Sequence, residues 1–321
     1  MLVVTGAAGF IGSNLAHRLA SLGHELLLVD HPLRPRKCEN WAGLRQFRFL
    51  EHDLFLDVLQ DGSFSCDGIF HLGACSSTTE TDAAYLQRNN VGYSQTLWQW
   101  CAANRCPFIY ASSAATYGDG SRGFDDRTPP EQLTPLNLYG KSKNDFDLSV
   151  RQQIAAGAPQ PSGWAGLKFF NVYGPREQHK VRMASVVWQA YRQLRETGGM
   201  KLFRSNDPAY PDGGQRRDFV FVEDCIDHML WLWQNPQASG IYNSGTGSAR
   251  TFLDLVLAVF AALGREPRIE FIDMPANLAG QYQNFTQAEM SRLWAAGYTQ
   301  SPTSLENGVA RYVRFLVDRD S

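Results

Sequence analysis

With 321 residues, the chain has room for about two domains or one large α/β unit and can bury a core without staples. Its 30 basic and 32 acidic residues leave a net charge of −2, which excludes a polybasic nucleic-acid or membrane-surface protein. Its six cysteines show neither paired CxxC spacing nor a nearby His cluster, so reduced thiols and no metal site are expected.

The opening residues Met1 to Gly6 enter a strand pattern without a basic leader, and the longest apolar stretch, 252–263, is too short to span a bilayer. A cytoplasmic protein is the expectation. Leu2–Thr5 reads as the first strand, and Ile11, Leu15, Leu19 and Leu22 then share a helical face that Gly23 ends. Further strands are expected at 25–29, closed by Asp30, around Phe47 and Phe49, at 68–71 and at 108–112. Repeated strand–helix–strand units predict a Rossmann-like, doubly wound parallel sheet. After Pro159 the texture becomes rich in turns, with strands at 167–170 and 219–222 and helices near 227–233, 252–263 and 305–316. The expected layout is a dinucleotide-binding domain over 1–170, with 219–240 packing back onto it, and a smaller, discontinuous α/β substrate lobe over 171–321.

Between the first strand and helix lies Thr5-Gly6-Ala7-Ala8-Gly9-Phe10-Ile11-Gly12. Its G-x-x-G-x-x-G spacing suits a turn whose backbone must approach a pyrophosphate at a helix N-terminus, where Cβ atoms would intrude. The spacing alone is weak; its position, with Asp30 closing the next strand 18 residues after Gly12, carries the argument. Asp30 suits the ribose hydroxyls of NAD and repels a 2′-phosphate, yet His31, Arg34, Arg36 and Lys37 follow at once. Charge alone leaves NADP against NAD open.

Tyr139 and Lys143 stand four apart and share a face if the segment is helical. A free phenol titrates near 10, too high for a base at neutral pH, and a neighbouring ammonium favours the phenolate. Ser113, just past the fifth strand, is placed to orient a reacting alcohol.

With these residues in view, the chain resembles the extended short-chain dehydrogenase/reductase family over nearly its whole length. Leu72 to Glu80, Ala111 to Gly118, Phe169 to Glu177, His179-Lys180, Met183 to Val186, Arg217 to Val220 and Tyr282 to Gln287 narrow the likeness to its ADP-heptose 6-epimerases. That likeness implies inversion of one carbinol centre of a nucleotide-sugar used for lipopolysaccharide. A 6″-ketone forms transiently, and hydride returns to the opposite face from a retained NADP. It implies two bases, Tyr139 and Lys180, and a homo-oligomer, specifically a homopentamer.

The resemblance also carries site residues. Phe10, Ile11, Asp30, His31, Lys37, Leu72, Gly73, Ala74, Cys75, Ser76, Asn89, Lys143, Val172 and Lys180 are implied to line the cofactor, beside Gly6, Gly9 and Gly12. Asn171, Arg182, Gln189, Phe203, Arg204, Ser205, Asn206, Arg217 and Tyr282 are implied to line the nucleotide-sugar. A guanidinium at Arg217 matches diphosphate oxygens bidentately. Several positions depart from the family pattern: Ala7, Leu72, Arg182 and Gln189 replace Gly, Glu, Ser and His, and Gln178 and Val181 replace glycines beside Lys180.

A 4,6-dehydratase commonly has an Asp-Glu pair after the active-site hydroxyl, where this chain has Ala114-Ala115. A 4-epimerase on the same scaffold stays open as the alternative. A catalytically silent cofactor sensor need not keep Ser113, Tyr139, Lys143 and Lys180 together, which weighs against that reading.

Overall fold

The apolar runs become the strands of one parallel sheet in a computed structural model that describes residues 1–31, 35–275 and 283–320, with Pro35 and Arg36 as backbone only. In chain order these are β1 (Leu2–Thr5), β2 (Leu26–Asp30), β3 (Phe47–Glu51), β4 (Gly68–His71), β5 (Phe108–Ser113) and β6 (Trp164–Phe169). A seventh, Gly240–Ser244, gives the order β3-β2-β1-β4-β5-β6 and then this last strand at the edge. Every neighbouring pair is parallel. The fold is therefore the doubly wound α/β class, whose order reverses between β1 and β4.

Both faces of the sheet are covered, which is why its central strands read as continuous apolar runs. Alternation along each strand then feeds two cores. Leu2 and Val4 pack with Leu15 and Leu19 of helix α1 (Phe10–Ser21). Val3, Leu27 and Ile69 pack with Leu97, Trp98 and Cys101 of helix α2 (Tyr93–Ala103).

The last strand, Gly240–Ser244, was not legible from the sequence, and the reason is chemical. Its two buried polar residues are satisfied by partners far away in the chain. Asn243 Oδ1 accepts from Tyr117 OH at 2.6 Å, its amide donates to Asp126 at 2.7 Å, and Ser244 Oγ lies 2.9 Å from His228 Nδ1. Phe219–Phe221, expected as a strand, does not join the main sheet and pairs instead with Asn171–Tyr173. The helix expected near Asp227 begins at Val222 and runs to Gln234.

Beyond the sheet, helix α4 (Val186–Thr197) packs with helices Phe252–Ala262 and Leu305–Asp320 through the Phe252–Ala262 helix. A parallel pair, Met200–Phe203 with Ile269–Ile272, lies beside them. Between β5 and β6 runs helix α3 (Leu138–Ala155), capped by Asn137, whose Oδ1 accepts from the Gly140 amide at 2.8 Å. Among the described residues, no helix is long and apolar enough to cross a membrane.

Candidate active site

The carboxyl ends of β1, β2, β4, β5 and β6 open into one cleft of about 1140 Å³. That exceeds an ordinary single-ligand pocket and gives room for two large ligands together. Its lining includes Gly6, Gly9, Phe10, Ile11, Gly12, Asp30, His31, Lys37, Leu72, Gly73, Ala74, Cys75, Ser76, Asn89, Ser113, Tyr139, Lys143 and Val172. Lys180, Asn171, Phe203 and Arg217 line it as well.

The glycine-rich turn is tighter than a need for ligand approach alone would require. Gly6 has φ +64°, and a Cβ there would lie 2.6 Å from the Gly73 amide nitrogen; one at Gly12 would lie 2.2 Å from the Gly6 carbonyl oxygen. Backbone contact within the turn thus already demands both glycines. Gly9 caps α1 without a side-chain bond, so the helix presents its opening N–H groups at the cleft. Asp30, at the end of β2, is buried and accepts from the Ala8 amide at 2.8 Å, which ties the turn to the acid. Lys37 Nζ lies 3.2 Å from the other carboxylate oxygen of Asp30.

Ser113 ends β5, and Tyr139 and Lys143 share one face of α3. Burial pushes the Tyr139 phenol up, and a hydrogen bond with Ser113 draws it back. Lys143 stands one helical turn beyond Tyr139. Its ammonium donates to the Ala111 carbonyl at 3.0 Å, and burial brings it down to about 8. Burial disfavours the charged form of both groups, so they move in opposite directions.

Lys180 enters the cleft from a separate element, the turn 178–183, with its ammonium 5.3 Å from the centre of the Phe10 ring. Burial lowers it, and Glu177 opposes the shift. Two asparagines that sequence reasoning missed fasten the 175–183 segment to α1 and to the glycine-rich turn. Asn14 Nδ2 donates to the Pro175 carbonyl at 2.8 Å, and Asn40 donates to the Ala8 carbonyl at 2.9 Å while lying 3.0 Å from His179 Nδ1. A third, Asn90, clasps the Cys75 backbone at both its amide and its carbonyl and donates to Ser142 on α3. His52, also missed, lines the cleft, with its ring tilted 4.3 Å from that of His31 and stacked 3.8 Å from that of Tyr93. No short-range pattern marks these residues, because each partner is remote in sequence.

A model of the NAD dependent epimerase/dehydratase family matches residues 2–245. The chain belongs to that family. It is 49% identical to the ADP-L-glycero-D-manno-heptose-6-epimerase of Nitratidesulfovibrio vulgaris Hildenborough, over 98% of this chain and 97% of that one. The crystal structure of the Helicobacter pylori ADP-L-glycero-D-manno-heptose-6-epimerase superposes with a TM-score of 0.81 at 27% identity, covering 98% of this chain and 96% of that one. MoeE5, solved in complex with UDP-glucose and NAD, superposes at 0.76 with 26% identity, covering 100% and 99%.

In this member of the epimerase/dehydratase family, the cleft fits a nicotinamide dinucleotide on its own geometry. An uncapped helix N-terminus faces it, and a buried carboxylate stands at the end of the second strand. Five expected substrate residues lie off the cleft lining for visible reasons. Arg204 pairs with Asp273 at 3.0 Å, Ser205 Oγ donates to the Asp207 carbonyl, and Gln189 donates to the Val181 carbonyl at 2.8 Å. Arg182 and Asn206 point to the exposed surface. Arg217 is buried, 5.5 Å from the Phe252 ring. Tyr282 and Arg34 lie outside the described residues, as does the side chain of Arg36.

Proposed function

We propose that this chain interconverts ADP-D-glycero-β-D-manno-heptose and ADP-L-glycero-β-D-manno-heptose by inversion at C6″, for lipopolysaccharide precursors. The observation that carries this reading is the entry of two acid/base groups into one cleft from separate elements, Tyr139 from α3 and Lys180 from the 178–183 turn. Hydride leaves one face of the carbon and returns to the other, so the ketone must turn its opposite face to the nicotinamide. A second acid/base group in the cleft meets the ketone oxygen in that turned orientation.

When bound, the nicotinamide supplies the acceptor and donor of hydride. The chain's own residues manage protons and orientation. Ser113 holds the Tyr139 hydroxyl, and either that phenol or the Lys180 amine takes the C6″ hydroxyl proton. The other group delivers a proton to the oxygen of the inverted alcohol. Net redox is zero, so the cofactor has no reason to leave. Arg217, buried at the cleft wall, suits the diphosphate. The division into a dinucleotide-binding part over 1–170 and a substrate lobe over 171–321 belongs to the same reading.

Purified protein incubated with ADP-D-glycero-β-D-manno-heptose, with no cofactor added, is expected to yield both C6″ epimers on chromatography. No conversion, even after NADP and NAD are supplied, would sink this substrate.

We also propose NADP as the preferred cofactor. The Lys37 ammonium beside Asp30 offsets the charge that would repel a 2′-phosphate. Lys37→Ala is expected to weaken NADP about tenfold, as loss of one charged hydrogen bond does, and NAD much less. Titration calorimetry on stripped enzyme checks this. Equal weakening of both would remove Lys37 from phosphate reading.

A further inference from the structure

One buried carboxylate is used by none of the steps above. Glu177 is fully buried, and it closes the turn that carries Lys180 at both ends. Its backbone carbonyl accepts from the Lys180 amide at 2.9 Å. Its carboxylate accepts from the Ser185 amide at 2.6 Å and from Ser185 Oγ at 2.5 Å. Ser185 is in turn the N-cap of α4, so a single side chain couples the turn to a helix start.

The turn needs such a fastening. Val181, next to Lys180, has φ +50° and ψ −105°, a conformation that a β-branched residue adopts only when its surroundings impose it. Gln189 holds the Val181 carbonyl, and Glu177 holds the two flanks.

The charges around the pair are few. On the turn itself lie His179, which burial brings down to about 4, and the exposed Arg182, with Arg176 just before the turn. From the β2 side, Lys37 and Asp30 act on His179. From the C-terminal helix, the Tyr312 hydroxyl meets Glu177, with Arg319 acting on Tyr312. The donors on the Glu177 carboxylate are the Ser185 and Gly174 amides and the hydroxyls of Ser185 and Tyr312, and the cation that draws it down against burial is Lys180.

We propose that Glu177 is the positioning residue for Lys180, fixing the turn that aims its ammonium into the cleft and placing a buried negative charge beside it. The proposal rests on the reading of Lys180 as an acid/base group, but its decisive measurement does not require turnover.

Glu177→Gln keeps the size and an acceptor for Ser185 while removing the charge. Glu177→Asp keeps the charge and shortens the reach. Lysines carrying ¹³C-methyl labels can be titrated by NMR, with the Lys180 signal assigned from Lys180→Arg. In Glu177→Gln the Lys180 midpoint is expected to move down, because the charge that favoured its ammonium is gone. The acid limb of the epimerisation profile, where the neutral Lys180 amine is lost, should move down with it. An unchanged Lys180 midpoint overturns the proposal. A shifted midpoint with an unshifted activity profile supports the proposal and instead removes Lys180 from the reaction.

Glu177→Asp is expected to hold the midpoint near that of the parent while turnover falls severalfold without a change in pH profile. Full turnover in that variant would overturn the positioning role, and this arm stands if the Gln variant does not fold.

Discussion

Tyr139→Phe is expected to slow epimerisation between about a hundredfold and ten-thousandfold, the range for losing a positioned general acid or base. The cofactor should stay bound. The substitution removes one oxygen from a half-buried ring in the first turn of α3, where Asn137 still caps the helix. Lys143 keeps its bond to the Ala111 carbonyl, and the glycine-rich turn is untouched. What is lost is the hydroxyl that Ser113 orients. Burial pushes that phenol up, so the free protein holds its proton at neutral pH and presents an acid ready to donate. Epimer ratios over time, together with the nicotinamide absorbance of the purified variant, test both halves. Full activity would end the assignment of Tyr139.

Lys168→Met is expected to destabilise the fold by about 3–5 kcal/mol, the usual loss when one member of a buried ion pair is removed. Total stability of such chains is only about 5–15 kcal/mol, so this is a large share. Lys168 on β6 is 1% exposed and Asp147 on α3 is 0% exposed, with 2.8 Å between Nζ and the carboxylate. Thr116 accepts from the same ammonium at 2.7 Å, and Ser112 and Tyr110 donate to the carboxylate at 2.7 and 3.0 Å. Methionine fills the volume but leaves the carboxylate without its cation. The additional change Asp147→Asn should recover part of the loss, because an uncompensated charge is what hurts most. Urea denaturation of the two variants measures this; a loss below about 1 kcal/mol for Lys168→Met would mean that the hydroxyls alone satisfy Asp147. The same network joins β5, β6 and α3, which carry Ser113, Tyr139 and Lys143. Partial loss of activity should therefore accompany the loss of stability.

The legible and illegible parts of this protein divide along physical lines. Buried parallel strands must be apolar on both faces, so β1, β2 and β4 stand out as Leu-Val-Val, Leu-Leu-Leu-Val and Gly-Ile-Phe runs. The glycine spacing, Asp30, Ser113 and the Tyr139–Lys143 pair were legible because each is a local requirement of a turn, a strand end or a helical face. Lys180 was legible only through resemblance, since nothing in its neighbours distinguishes it from a solvated loop residue.

Asn14, Asn40, Asn90 and Glu177 act through partners distant in sequence or through backbone groups, which leave no periodic mark. The strand at Gly240–Ser244 is hidden for the same reason, its buried Asn and Ser being satisfied from 117, 126 and 228. Sequence by itself determined the fold class, the nucleotide turn and the candidate pair Tyr139 and Lys143, because short-range geometry dictates those residue types. Tertiary structure decided how the second wall of the cleft is built and which charges stand beside which. Burial and electrostatic pairing depend on distance in space, and distance along the chain does not encode it.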